Sequence, residues 1–149
     1  MVQEIITWAQ VEHICLDVSS KLKKPDAIVA IGRGGFVPAA ILSNRLDVRI
    51  VVNFGTQSYF DKEQASIRVT QRPDLSFLTE YKDKNILIVD DISDKGHTLK
   101  HIVNYFKQYG FNNLETFTLF TKTGTEYIPD CYSKEYDRDV WLVFPWENK

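Results

Sequence analysis

Ile86-Leu87-Ile88-Val89-Asp90-Asp91-Ile92-Ser93-Asp94-Lys95-Gly96-His97-Thr98-Leu99 decides the fold of this 149-residue chain. Its apolar opening, with Asn85 before it, reads as a buried strand over Asn85–Val89. A pair of carboxylates ends the strand, and a short polar turn with one glycine follows. Thr98 then opens a helix that runs to Tyr109. Leu99, Ile102, Val103 and Phe106 fall on one face of that helix, and Gly110 stops it. A buried strand that feeds an amphipathic helix is the repeating half of a parallel sheet.

The same alternation extends in both directions. Upstream, Trp8, Val11, Cys15, Val18 and Leu22 recur at helical spacing, which predicts a helix from about Thr7 to Lys23. Thr7 and Gln10 make a capping box at its start. Ala27–Ile31 is a second buried strand, broken by Gly32-Arg33-Gly34-Gly35. Pro38 lies near the start of a helix with Ala39, Ala40, Leu42 and Leu46. Arg49–Phe54 is a strand, Gly55–Ala65 reads as polar and irregular, and Ser66–Gln71 as a short strand. Downstream, Leu114–Phe120 and Trp141–Phe144 supply two more strands. The expected architecture is α/β, with a mostly parallel central sheet flanked by helices, in one domain spanning residues 1–149. Ligands of such sheets bind at the carboxyl ends of the strands.

Bulk properties narrow the function classes. The chain is 44% hydrophobic and 26% charged, within the globular range. Its formal net charge of −2 provides no overall basic field for nucleic acid or an anionic membrane. No apolar run reaches membrane-spanning length, and the opening MVQEIITWAQ lacks a basic region followed by an apolar one. Cys15 and Cys131 match neither a disulfide framework nor a zinc motif, which leads to the expectation of a reduced, cytoplasmic setting.

The chemistry concentrates where strands become helices. Asp94 to Thr98 offers successive backbone N–H groups, a glycine and a threonine hydroxyl at the positive end of a helix, which suits a phosphate. Asp90 and Asp91 place hard oxygens beside it, suited to magnesium or to the two hydroxyls of a ribose. A single acid there would be read as a helix cap; the whole string points to a ligand site. Gly32-Arg33-Gly34-Gly35 after a strand can wrap a pyrophosphate with backbone and neutralise it with a guanidinium. It lacks the third glycine of a dinucleotide fingerprint.

Taken together, these strings resemble type I phosphoribosyltransferases along nearly the whole chain. Asp90 to Thr98 is similar to that family's phosphoribosyl pyrophosphate signature: two acids, two residues, then Asp-Thr-Gly-x-Thr, with Lys95 in place of the usual threonine. The Gly32–Gly35 turn resembles its pyrophosphate loop. The resemblance implies a donor site made of Arg33, Gly34, Asp90, Asp91, Asp94, Lys95, Gly96, His97 and Thr98. It also implies Mg2+ held by Asp91 and Asp90, Asp94 as the catalytic group, and a non-proline cis peptide at Gly32–Arg33. Phe120-Thr121-Lys122 and Trp141 to Glu147 look like the base-binding parts of xanthine–guanine and related 6-oxopurine enzymes, which implies purine contacts by Lys122, Trp141 and Leu142. Taken singly, Trp141 reads equally as core and Lys122 as a solvated strand end. Ser58-Tyr59 resembles the start of a mobile hood, drawn at about 55–71 together with 122–149. A homo-oligomer, dimer or tetramer, is expected on the same ground. The other readings are a phosphoribosyltransferase for another base and a non-catalytic nucleotide-sensing regulator. The absence of a Lys/Arg cluster weighs against the regulator.

Overall fold

The computed structural model describes residues 2–61 and 64–147. Six strands form the main sheet: β2 (Ala27–Gly32), β3 (Val51–Asp61), β4 (Gln64–Gln71), β5 (Ile86–Ser93), β6 (Leu114–Lys122) and β7 (Lys134–Tyr136). Their spatial order is β4-β3-β2-β5-β6-β7, and every neighbouring pair is parallel except β3 with β4. The expected α/β sheet is therefore present. β1 (Val2–Ile5) and β8 (Val140–Val143) pair separately as a two-stranded parallel sheet, Val2 opposite Val140 and Ile5 opposite Val143. The strand expected at Trp141–Phe144 thus lies outside the main sheet.

Burial on both faces follows from the period of two in a strand. In β2, Ile28 and Ala30 enter one core with Val11, Cys15 and Val18 of α1 (Trp8–Ser19) and Ala39 and Leu42 of α2 (Phe36–Leu46). Ala27, Val29 and Ile31 enter the other, against Leu99, Ile102, Val103 and Phe106 of α4 (His97–Gln108). Every residue of β2 is buried. A four-residue helix, α3 (Leu75–Leu78), precedes β5. Thr7 caps α1 as expected: its Oγ1 accepts from the Gln10 amide at 3.1 Å, and Gln10 Oε1 accepts from the Thr7 amide at 2.7 Å.

The segment read as irregular, 55–65, is corrected by the structure. Its described residues continue β3 and begin β4, arms of one antiparallel hairpin whose register shifts between Gly55 and Thr56. Phe54 and Gly55 are buried and Val69 packs against the same core, but Gln57 and Ser58 are exposed, so no alternation of apolar residues marks the segment. Cross-strand pairing, which sequence spacing does not encode, holds it together. Lys62 and Glu63 of that segment lie outside the described residues, as do Asn148 and Lys149.

Candidate active site

β2 and β5 are central neighbours in the sheet, and their connections run to opposite sides: β2 leads through α2 to β3, β5 through α4 to β6. Such a switch point leaves a crevice beyond the strand ends. A cleft of about 410 Å³ opens there. Gly32, Arg33 and Gly34 line it from the end of β2, Asp90 to Thr98 from the end of β5, and Trp141 from β8. Thr56, Ser58 and Ile67 of the hairpin complete one wall. Both loops singled out in the sequence therefore face one cavity.

The loop after β2 carries an exposed Arg33, and the Gly32–Arg33 peptide is cis. Gly32 N donates to Asn53 Oδ1 at 3.1 Å, tying the loop to β3. Gly34 packs directly under the Asp91 carboxylate; a Cβ there would overlap Asp91 Oδ2. The two loops touch at this point, and a side chain at position 34 would have to push the Asp91 carboxylate aside.

Asp90 and Asp91 sit half-buried side by side, with Asp90 Oδ1 accepting from the Asp91 amide at 2.8 Å. Burial lifts the Asp90 carboxyl well above the usual carboxylate range, and the neighbouring Asp91 charge lifts it further. Burial also raises Asp91. Two desolvated acids in contact cannot both ionise cheaply, so the pair favours a proton or a cation. Among the described residues no group of three or more His, Cys, Asp or Glu gathers as a metal site.

The Asp94–Thr98 turn is supported from behind by residues without a sequence signal. Ser93 Oγ donates to the Tyr127 carbonyl at 2.7 Å, Thr121 Oγ1 to the Ser93 carbonyl at 3.2 Å, and the Glu126 amide to the Lys95 carbonyl at 2.8 Å. Gly96 adopts φ 89°, where an added Cβ would meet the Tyr127 amide nitrogen at 2.5 Å. Gly96 is also the N-cap of α4, and no side chain caps that end. Neither Asp94 nor Thr98 is spent on the helix terminus, whose first amides are uncapped by any side chain among the described residues. His97 lies 3.4 Å from Glu126 Oε1 at the edge of the turn.

The base-side residues divide. Trp141 is 50% exposed and lines the cleft. Leu142 is buried in the core, and Lys122, also buried, does not line the cavity. Lys122 Nζ donates to the carbonyl of Val140, immediately before Trp141, and to that of Asp137 at 3.3 Å. Arg138, which no motif announced, pairs with the Asp94 carboxylate. Its role depends on a contact between residues far apart in sequence, so spacing could not reveal it.

Comparison with known proteins agrees with this geometry. The model of the phosphoribosyl transferase domain matches residues 4–148. A xanthine-guanine phosphoribosyltransferase of Cereibacter sphaeroides is 32% identical over 149 residues, covering 95% of this chain and 85% of the relative. A crystal structure of a purine phosphoribosyltransferase from Pyrococcus horikoshii superposes with a TM-score of 0.83 at 33% identity, covering 100% of this chain and 97% of the other. The Helicobacter pylori xanthine-guanine-hypoxanthine phosphoribosyltransferase, at 23% identity, shares the fold with a TM-score of 0.82, covering 97% of this chain and 94% of that one. With a family match over almost its whole length and both signature loops on one cleft, the chain belongs to the phosphoribosyl transferase domain family.

Proposed function

We propose that this cleft moves the 5-phosphoribosyl group of phosphoribosyl pyrophosphate onto a 6-oxopurine, yielding a nucleoside monophosphate and pyrophosphate in purine salvage. The observation that carries the reading is the convergence of Arg33–Gly34, Asp90–Asp91 and Asp94–Thr98 on one cavity, with Trp141 across from them. In the reaction the bond from ribose C1 to the pyrophosphate oxygen breaks and a bond from C1 to a purine ring nitrogen forms. Positive charge builds on the sugar while negative charge leaves with pyrophosphate.

Each residue has a part in that charge movement. The 5-phosphate sits against the amides of Lys95 to Thr98 at the start of α4, with the Thr98 hydroxyl and the Lys95 and His97 side chains beside it. Arg33 and the backbone at Gly34 hold the pyrophosphate. Asp90 and Asp91 take the ribose hydroxyls or a magnesium ion. Two carboxylates beside a phosphate site fit magnesium, which keeps several waters and takes its remaining ligands from substrate. When bound, the ion neutralises charge on the leaving pyrophosphate. Asp94 faces the purine, accepts its ring N–H proton and stabilises charge as the new bond forms.

Selectivity rests on Lys122. The carbonyls of Val140 and Asp137 use two of its three N–H donors. Lys122 is buried beside the cleft and does not line it, so its remaining donor must be uncovered as the base binds; there it meets a 6-oxo group and opposes the 6-amino group of adenine. Trp141 stacks on the base, and backbone around Leu142 reads the C2 substituent. Residues 55–71 and 122–149 act as a hood on a single domain, with a homo-oligomer and a cytoplasmic setting as the working context. Among the described residues no helix is long and apolar enough to cross a membrane. Pyrophosphate release measured across guanine, hypoxanthine, xanthine, adenine and a pyrimidine tests this. We expect release with at least one 6-oxopurine and none with adenine. Equal rates with adenine and guanine, or release only with the pyrimidine, would overturn it.

A further inference from the structure

Arg138 stands in the turn between β7 and β8, and its guanidinium reaches back across 44 residues of sequence to Asp94. Nη1 donates to the Asp94 main-chain carbonyl at 3.0 Å and to the Thr123 carbonyl at 3.3 Å, while Nη2 pairs with the Asp94 carboxylate. The turn is held from its other side by Lys122, whose ammonium donates to the carbonyls of Asp137 and Val140. Residues 137–140 therefore join the two side chains assigned above to the purine. The Asp94 side chain is 55% exposed, so packing does not select its orientation. A planar fork of donors does, because it engages the carboxylate and the carbonyl of one residue at once. A lysine, with a compact ammonium on a flexible stem, does not reproduce that grip.

We propose that Arg138 is a positioning residue that aims the Asp94 carboxylate at the incoming base and couples the phosphate turn to the β7–β8 turn that Lys122 holds and that leads into Trp141. The proposal rests on the reading of Asp94 as the group that meets the purine. It differs from a purely structural strap in what its loss would change. A strap would shift stability or donor affinity, whereas an aiming device shifts turnover through Asp94 alone.

The test is a double-mutant cycle on the full chain, with magnesium, phosphoribosyl pyrophosphate and the accepted 6-oxopurine. Arg138→Gln should lower kcat about tenfold while the KM for phosphoribosyl pyrophosphate stays within about twofold. In an Asp94→Asn background the same substitution should change kcat by less than about twofold, because the residue through which it acts is already lost. Arg138→Lys, which keeps the charge and serves if the glutamine variant folds poorly, should retain the melting temperature and still lose turnover. Unchanged kcat in Arg138→Gln, an equal loss in both backgrounds, full activity in Arg138→Lys, or a loss confined to the donor KM would overturn the proposal alone. Native turnover in Asp94→Asn would overturn the reading of Asp94 first and this proposal with it.

Discussion

At the scale of single residues, the site depends on contacts with no slack. Gly34 lies so close under Asp91 that a methyl group must displace the carboxylate or the loop. Gly34→Ala should leave the far-UV circular dichroism unchanged and weaken magnesium-dependent binding of phosphoribosyl pyrophosphate by at least about tenfold, by calorimetry, as expected for a lost charge-assisted contact. Native affinity in that variant would mean that the two loops do not hold one ligand. Asp94→Asn keeps the shape of the turn but loses the carboxylate. Turnover should fall about 100-fold, the usual scale for acid–base groups, while donor binding changes little. A steady-state comparison with a parallel donor titration separates the two effects.

At the scale of elements, α1 illustrates how burial sets chemistry. Cys15 lies fully buried on its inner face, and desolvation pushes the thiol from an ordinary 9.0 up to about 12. The folded protein thus keeps a proton that the unfolded chain releases above about pH 9, so Cys15 makes stability fall as pH rises from about 9 towards 12. A Cys15→Ala variant should show a flatter loss of melting temperature over that alkaline window, despite a lower starting value from the lost packing. In thiol labelling at neutral pH, half-buried Cys131 should react first and Cys15 only on unfolding. A Cys15 that labels in the folded protein would contradict this. Elements of this kind were legible in sequence because an apolar stripe or run reports a core face: β2, α4 and most of β6 fall where periodicity puts them. By contrast, α1 stops at Ser19, short of the expected Lys23, and β5 runs past Val89 through both aspartates to Ser93, held there by pairing with β6. Ser66–Gln71, read as a short strand, lies within β4, but β3 past Phe54, short β1 and β7, and the separate pairing of β8 were not legible, since their order comes from partners rather than from local pattern. The same reason hid Arg138 and the Ser93–Tyr127 support while leaving the Asp90–Thr98 string plain.

At the scale of the molecule, a chain of net charge −2 gathers an arginine loop and a helix N-terminus at one cleft by topology. The sheet order sets β2 beside β5, so Arg33, the α4 terminus and the carboxylate pair meet beyond the strand ends. Trp141 of β8 lines the same cleft, and the β7–β8 turn behind it is tied to Lys122 of β6 and, through Arg138, to Asp94. On the proposed reading donor and base share this one cavity, which is what group transfer requires and simple hydrolysis does not. Phosphorus-31 NMR of the protein with magnesium, phosphoribosyl pyrophosphate and guanine tests this most directly. The account predicts that the donor signals give way to pyrophosphate and a nucleoside 5′-monophosphate in equal amounts, with no nucleotide when adenine replaces guanine and hypoxanthine or xanthine serving if guanine is not the accepted base. Pyrophosphate appearing with ribose 5-phosphate and no nucleotide, or a donor left intact with all three 6-oxopurines, would contradict it.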